Sequence, residues 1–400
     1  MPIGPILRAM NHNRTRFALI ILEIAITLAI VTNAVNMILA ERREMQRQSG
    51  FVDDNLVSIN AQPFAPEFSE QSFVENVVAN DLRALHALPG VKAAAATRIV
   101  PWQGGGSSGV WKTAGYPEKV QAQIYATTPR LFDVLGAPVA QGRGFNESDT
   151  PTDPNTPTQV TVISRALARK FWGDANPIGK VITDGAGETP RTVIGVIDRF
   201  YNPYAWNIGE FVLFTPGRAY GPGGMRYLIR VEDGAMKSVA AQLEPRLLQV
   251  NPGRVFRTRT IAEVKDGFFS GRRLIVTSMT AVIVVLVFVT ALGILGITSL
   301  AVSERTKQIG TRRALGATKG DILKHFLAEN WIVTTIGLIL GIIATYALNF
   351  ALVSNLTDVK MPWYLVGVGM VILWINGLVA TIPPALRAAR VAPAIATRSV

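Results

Sequence analysis

Four stretches of the chain are apolar over a length that can cross a bilayer. The hydrocarbon core of a membrane is about 30 Å thick, which corresponds to about 20 residues of helix. The stretches that reach this length are Phe17 to Ala40, Leu274 to Val302, Trp331 to Leu352 and Tyr364 to Ile382. We therefore predict four transmembrane helices.

The first apolar stretch has the basic start of a secretory signal, with Arg14 and Arg16 just ahead of it. It is longer than the apolar part of a signal peptide and has no Ala-x-Ala cleavage pattern, so an uncleaved signal anchor is the better interpretation. Apolar residues between Ile3 and Met10 recur at helical spacing, which predicts a short helix on the inner leaflet.

Residues 46–271 carry the shorter patterns of a folded domain. Runs rich in Val, Ile, Phe and Tyr predict strands at Asn55–Asn60, Gln159–Ile163, Arg191–Ile197, Phe211–Phe214, Met225–Val231 and Arg254–Thr260. Amphipathic patterns predict helices at Ser72–Leu88, Arg165–Trp172 and Met236–Val250. Because strands and helices are interspersed, we predict an α+β domain in two lobes, between a first domain of residues 1–45 and a helical domain of residues 272–400.

The positive charge of the chain lies at the ends of the apolar stretches. The net charge is +12, yet residues 46–271 hold 23 Lys and Arg against 21 Asp and Glu, and the remainder holds 17 against 7. This distribution is typical of a membrane protein with a cytoplasmic edge, and it argues against nucleic acid as a partner.

A basic connector of residues 303–323 separates the second apolar stretch from the third. A segment this charged must lie in water, and its Lys and Arg excess predicts the cytoplasmic face. The loop between the third and fourth stretches carries only Lys360 as a basic residue. We therefore predict that both termini are cytoplasmic and that residues 46–271 are extracytoplasmic.

The composition of the chain argues against several kinds of catalytic and metal-binding site. The chain has no Cys, which excludes disulfides and thiolate metal sites, and it has three His, which disfavours a histidine metal cluster. We predict no catalytic residue, no metal and no cofactor in this chain.

The connector and two further groups of motifs resemble MacB/FtsX-type permeases. The run Glu304-Arg-Thr-Lys-Gln-Ile-Gly-Thr-Arg-Arg-Ala-Leu-Gly-Ala-Thr318 is similar to the E-R-x-x-E-I-G-x-R-R-A-L-G-A pattern of that family, with Gln308 in place of the acid. The other similar segments are Phe326–Glu329, Pro384–Ala396, Thr128–Gly136, Gln141–Arg143 and Phe171–Lys180. They occur in the family's order over nearly the whole chain.

The resemblance implies a non-catalytic permease subunit that works as a homodimer or heterodimer in the bacterial inner membrane. It implies a separate ABC ATPase dimer that holds ATP and Mg²⁺, with a periplasmic adaptor as a further candidate partner. The implied contact with the ATPase comprises Glu304, Arg305, Ile309, Gly310, Arg312, Arg313, Ala314, Leu315, Gly316 and Ala317. In this picture Ile309, Leu315 and Ala317 enter a groove on the partner, and the arginines make polar contacts or hold adjoining helices.

The same resemblance leaves the cargo open. ATP hydrolysis would move the extracytoplasmic domain to export peptides, drugs or other amphiphiles, to release lipoproteins or to activate cell-wall hydrolases. A membrane-anchored sensory or structural protein is the alternative from another class, and it predicts no stable ATPase complex.

Two glycine-rich patterns favour structural roles. Gly173 to Val181 has five residues between its glycines and Val after Lys, so it does not fit a phosphate-binding loop, and we predict a turn. Gly105-Gly-Ser107-Ser-Gly109 fits the G-x-S-x-G pattern of a hydrolase, but no helical pattern follows it. We predict a flexible loop there.

Polar and small residues within the apolar stretches suggest contacts between helices. Gly337 and Gly341, in the same region as Glu329, are spaced to let another helix approach closely. Asn33, Asn36 and Asn376 are expected to bridge helices by hydrogen bonds. Glu23 is a candidate intramembrane polar site, and pairing with a flanking arginine is the favoured interpretation over a relay or gate.

Overall fold

The computed structural model describes residues 14–98, 100–102, 107–151, 156–185, 189–201, 210–217, 220–221, 224–355 and 360–392. The chain divides into two compact units, one of residues 1–46 with 271–400 and one of residues 47–270. The boundaries predicted from sequence differ from these by one residue. The predicted helix between Ile3 and Met10 lies outside the described residues.

The helices and strands of the described residues follow the chain in this order. The helices are α1 (Arg14–Met45), α2 (Gln71–His86), α3 (Leu131–Leu135), α4 (Arg165–Trp172), α5 (Met236–Val250), α6 (Ile261–Glu304), α7 (Thr306–Ala314), α8 (Lys319–Asn355) and α9 (Trp363–Ala389). The strands are β1 (Leu56–Pro63), β2 (Val91–Ala96), β3 (Ser107–Thr113), β4 (Tyr116–Thr127), β5 (Val139–Gly142), β6 (Val160–Ser164), β7 (Val181–Asp184), β8 (Pro190–Ile197), β9 (Val212–Pro216), β10 (Tyr220–Gly221), β11 (Gly224–Val231) and β12 (Arg254–Thr260).

Among the described residues four helices, α1, α6, α8 and α9, are long and apolar enough to cross a membrane, in agreement with the predicted number. Helix α6 begins 13 residues before the predicted span, at a capping box in which Thr260 and Glu263 each accept a hydrogen bond from the other's backbone N–H. The boundary between the two units therefore falls inside α6.

The helical unit is held together by small residues and by hydrogen bonds between helices. A Cβ on Gly337 would come within 2.9 Å of Ile24 Cβ, and one on Gly341 within 2.9 Å of Leu28 Cδ2, so both glycines let α8 lie close against α1. Asn33 donates to the Thr345 carbonyl at 3.1 Å, and Asn376 donates to the Val287 carbonyl at 3.2 Å. The predicted bridging of helices is confirmed for Asn33 and Asn376. Asn36 instead donates to the carbonyl of Lys360, which lies in the segment before α9.

The unit of residues 47–270 contains two sheets, each with its own apolar core. The first sheet has the antiparallel order β10-β11-β1-β12, with β2 paired to the same edge of β11 as β10. Helices α2 and α5 cover one of its faces and bury Val57, Ile59 and Tyr227. The predicted α+β architecture in two lobes agrees with this arrangement.

The second sheet closes on itself. Its order is β5-β8-β6-β9-β4-β3-β7, and β7 also pairs with β8, so six strands form a ring with β5 attached to β8. Trp111, Ile163 and Leu213 lie in its core with Phe171 of α4. Closure leaves few free strand edges, which protects an exposed domain from edge-to-edge association.

All six predicted strands and all three predicted helices of this unit are present, and Arg165–Trp172 and Met236–Val250 match residue for residue. The predicted loop at Ser107–Gly109 is wrong, because Ser107 begins β3, which pairs with β4. The predicted turn after Phe171-Trp172 is confirmed: α4 ends at Trp172, and Gly173 adopts φ 62° before β7 begins at Val181.

Candidate functional site

The basic connector forms a short helix between two long ones. Helix α6 ends at Glu304, α7 covers Thr306–Ala314, and α8 begins at Lys319. Gly316 adopts φ 99°, a conformation that favours glycine, and it ends α7 by donating its N–H to the Arg313 carbonyl at 3.2 Å. Thr318 and Asp321 then form a capping box that starts α8.

One face of α7 packs into its own chain. Ile309 is 5% exposed and lies in a cluster with Phe326 of α8 and Ala385 of α9. Gly310 is also buried, and Ala317 packs against the edge of the same cluster. The expectation that Ile309 enters a groove on a partner is therefore wrong for this structure. Its apolar side chain instead fixes α7 on α8 and α9.

Two ion pairs connect the end of α6 to other helices. Arg16 of α1 donates to both carboxylate oxygens of Glu304, at 2.8 and 2.9 Å. Arg305 donates to both oxygens of Glu329 in α8, at 3.1 and 3.0 Å. The Glu329 side chain is 9% exposed and the Arg305 side chain 20% exposed. Either charge would be destabilising in this apolar surrounding without its partner.

Arg313 binds the C-terminal end of α9. Its Nη1 donates to the carbonyl of Ala389 at 2.8 Å and to that of Val391 at 3.2 Å. The final carbonyls of a helix have no partner within the helix and carry a partial negative charge, so a guanidinium at this position satisfies them. Arg305 and Arg313 thus hold adjoining helices, as the sequence allowed.

The opposite face of α7 and the turn after it are exposed. Leu315 is 84% exposed, and Arg312, Ala314 and Gly316 are exposed beside it. We call these four residues the exposed turn. An apolar side chain of this size at the tip of a basic helix is suited to insertion into an apolar groove of another protein.

Glu23 lies against helix α6. A Cβ on Gly293 of α6 would come within 2.6 Å of Glu23 Oε2, so the carboxylate lies directly against that glycine. Within the described residues Glu23 makes no ion pair, and the flanking Arg16 pairs with Glu304. The predicted pairing of Glu23 with a flanking arginine is therefore wrong.

Sequence reasoning missed the partners of the charged residues. Arg16 and Glu304 are 288 positions apart, and Arg313 and Ala389 are 76 apart. The available signal was the presence of Arg16, Glu304 and Glu329 at or inside apolar stretches, where a charge requires a partner. Among the described residues, no cluster of three or more His, Asp and Glu side chains is placed to hold a metal ion.

Two family models match the chain. Residues 17–246 match the MacB-like periplasmic core domain, and residues 280–393 match the FtsX-like permease C-terminal model. Both are permease-type domains, and the second includes the whole of α7 and the exposed turn.

Curated relatives include proteins named as exporters. A macrolide export ATP-binding/permease protein MacB of Chromobacterium violaceum is 30% identical over 247 residues, which cover 60% of this chain and 37% of that protein. The MacB protein of Hahella chejuensis is 28% identical over 402 residues, which cover 96% of this chain and 58% of that protein. A probable syringafactin export ATP-binding/permease protein SyfD of Pseudomonas syringae is 28% identical and covers 68% of this chain and 42% of that protein. The chain thus spans less than two thirds of these relatives.

Among solved structures, the periplasmic region of MacB from Actinobacillus actinomycetemcomitans is similar to part of the chain. It is 18% identical, covers 55% of this chain and 94% of that one, and has a TM-score of 0.36.

Proposed function

Because this chain belongs to the MacB/FtsX-like ABC transporter permeases, we propose that it couples ATP hydrolysis by an ATPase partner to movement of its extracytoplasmic domain. The exposed turn would contact that ATPase. The partner would hold ATP and Mg²⁺, and two permease chains, identical or paralogous, would pair with two ATPase subunits. The cargo would be an amphiphile or peptide exported from the cell, consistent with the export functions in the names of MacB and SyfD.

One observation carries this proposal: a single helix presents an exposed apolar tip and is fastened to the long helices around it. Leu315 is 84% exposed, whereas Ile309 on the same helix is buried against α8 and α9. Glu304 and Arg305 extend the connection to α1 and α8 through their ion pairs. A push on the tip would therefore reach α1, α6, α8 and α9 together, because ion pairs and packed side chains resist separate movement.

The charge distribution supports an orientation of the chain in the membrane. The connector and the segments flanking the apolar stretches carry the Lys and Arg excess, which supports a cytoplasmic position for α7 and for both termini. The unit of residues 47–270 would then lie outside the cytoplasmic membrane. Protease treatment of intact cells tests this arrangement, and cleavage of both the domain and the connector from the same side would overturn it.

The coupling role is tested by changing the exposed turn in the full chain. The permease is co-expressed with candidate ABC ATPases, and co-purification and ATP turnover are measured for wild type, Leu315→Asp and Arg312→Glu. A carboxylate at position 315 cannot enter an apolar groove without a large desolvation cost, so we expect loss of the complex and at least a tenfold fall in permease-dependent turnover.

A matched control uses an exposed apolar residue of the other unit. Phe64 is 69% exposed, and Phe64→Asp introduces the same charge without touching α7. This variant is expected to keep wild-type assembly and turnover. If Leu315→Asp and Arg312→Glu both behave like Phe64→Asp, the exposed turn does not bind the ATPase.

A further inference from the structure

A cavity of about 430 Å³ lies on the face of the first sheet opposite to helices α2 and α5. It is lined by Asn60 of β1, by Arg257 and Arg259 of β12, and by Trp102, Gly267 and Phe268. All of these residues belong to the unit of residues 47–270. We call this site the arginine cavity.

The sheet register places the two arginines side by side. Arg257 and Arg259 are two positions apart on β12, so their side chains leave the same face of the strand about 7 Å apart. Their cross-strand neighbours on β1 are Asn60 and Ser58, neither of which can neutralise a positive charge. On an exposed sheet face, cationic side chains are commonly balanced by acidic neighbours on the adjacent strand.

Neither guanidinium has a protein partner among the described residues, and both side chains are exposed. No carboxylate lines the cavity in this part of the chain. Other cations near the face are occupied, because Arg230 donates to the carbonyls of Val52 and Val134, and Lys265 pairs with Asp53. The arginine cavity therefore presents two available cations in a concave site, which favours a bound anion.

Asn60 adds a requirement for a hydrogen-bond donor. Its Oδ1 is buried and has no hydrogen-bond partner among the described residues. Its neighbours in the register are Arg226 of β11 and Arg257 of β12, and neither guanidinium donates to the Asn60 Oδ1. A buried acceptor that stays unsatisfied is costly, and a hydroxyl group on a bound anion would satisfy it.

The backbone beside the cavity is also unusual. Trp102 adopts φ 66°, in the left-handed region that bulky residues rarely occupy, and its ring packs against Phe268 and Phe269. The indole N–H donates to Asp53 at 3.3 Å, which fixes the ring at the cavity wall. Residues held in such conformations are concentrated at binding sites, where the surrounding structure maintains them.

We propose that the arginine cavity binds a phosphate diester that carries a free hydroxyl group, such as the glycerophosphoglycerol group. Arg257 and Arg259 donate to the phosphate oxygens, and Asn60 accepts a hydrogen bond from the hydroxyl. This chemistry occurs both in soluble headgroups and in acylated lipids. Val264 and Phe268 line the cavity from α6, so the bound anion lies on the helix that continues to Glu304. The assignment requires no ATPase and stands or falls independently of the coupling function.

The test measures binding to the full chain, purified in a maltoside detergent that contains no phosphate. Titration calorimetry at pH 7.5 compares glycerophosphoglycerol, dihexanoylphosphatidylglycerol and inorganic sulfate, which has no hydroxyl donor. We expect saturable binding of one diester per chain and about tenfold weaker binding of sulfate. Equal affinity for the two diesters would identify the soluble headgroup as sufficient, and tighter binding of the acylated one would identify an amphiphile.

Variants assign the binding to the cavity. Arg257→Gln with Arg259→Gln is expected to remove saturable binding, and Asn60→Ala is expected to weaken the diesters about tenfold and leave sulfate unchanged. Arg246→Gln, on the exposed surface of α5, is the matched control and should bind as wild type does. Arg257→Lys with Arg259→Lys keeps both charges and should retain partial binding if the folded site is intact.

Two results would overturn the proposal. One is the absence of saturable binding of either diester to the wild-type chain. The other is unchanged binding by the Arg257→Gln and Arg259→Gln double variant. If Asn60→Ala binds both diesters as tightly as wild type, the assignment of the hydroxyl contact is wrong.

Discussion

Arg254 and Asp81 form an ion pair that is completely buried in the unit of residues 47–270. Both side chains are 0% exposed, and Arg254 Nη2 lies 3.0 Å from Asp81 Oδ1, while the second guanidinium nitrogen binds the other oxygen. Tyr227 donates its hydroxyl to Asp81, and Arg254 also donates to the Leu247 carbonyl at 3.1 Å. The pair therefore connects α2, the end of α5, β11 and β12.

Removing one member of this pair should destabilise the domain strongly. Asp81→Asn or Arg254→Met leaves a buried charge without its partner, and we expect a loss of about 3–5 kcal/mol in the free energy of unfolding. The double variant Asp81→Asn with Arg254→Met should recover much of this loss, since no charge then remains buried. The free energy of unfolding of the full chain in detergent is measured for wild type, both single variants and the double variant. If the loss in the double variant equals the sum of the two single losses, the two side chains are not coupled.

The Arg305–Glu329 pair should respond to charge exchange. Glu329→Gln leaves Arg305 beside Phe326 and Val333, and we expect a loss of about 2–4 kcal/mol because the pair is mostly but not fully buried. The exchange of Arg305→Glu with Glu329→Arg restores opposite charges and should recover part of the stability. Lys307→Gln, at an exposed position of α7, serves as the control and should change the unfolding midpoint little.

Gly341 should not tolerate a side chain. Its Cβ would meet Leu28 Cδ2 at 2.9 Å and Ala25 Cα at 3.2 Å, so Gly341→Ala forces α1 and α8 apart at a cost of about 1–3 kcal/mol. Gly296→Ala is the matched control, because nothing lies within 4 Å of its Cβ position. Equal thermal stability of the two variants would show that α8 does not pack closely on α1 at this point.

His86 should make the stability of the chain depend on pH. Burial, with the nearby charge of Arg130, lowers the pKa of His86, whose Nε2 lies 3.1 Å from the arginine. The unfolded chain then binds a proton that the folded chain does not, so stability falls as the pH decreases from about 6.5 toward the lowered pKa. Because His86 is only half-buried, the decrease in the free energy of unfolding should be under about 1 kcal/mol.

The measurement is the unfolding midpoint of the full chain between pH 7.5 and pH 5.5. His86→Asn should remove part of the decrease, and Arg130→Gln should reduce it by taking away the neighbouring charge. An identical pH profile for wild type and both variants would exclude His86 as a source of the pH dependence.

The sequence by itself determined the elements whose signal is local. The four long helices could be predicted from the length of their apolar stretches, because a helix of about 20 apolar residues has few alternatives to crossing a membrane. Strands such as β12 were predictable from β-branched and aromatic residues, and α4 and α5 from their amphipathic spacing. In contrast, β2 has the sequence Val-Lys-Ala-Ala-Ala-Ala, which has little strand propensity and becomes a strand through pairing with β11.

Only the tertiary structure decided which charged and apolar side chains meet. The sequence placed Arg305, Arg312 and Arg313 in one basic run, but their contacts differ because Arg305 reaches Glu329, Arg313 reaches the end of α9, and Arg312 is exposed. Likewise Ile309 and Leu315 are two apolar residues of one short segment, and the packing of α8 and α9 buries the first and leaves the second exposed. Contacts between residues far apart in the chain depend on how the helices pack, and no local pattern encodes that packing.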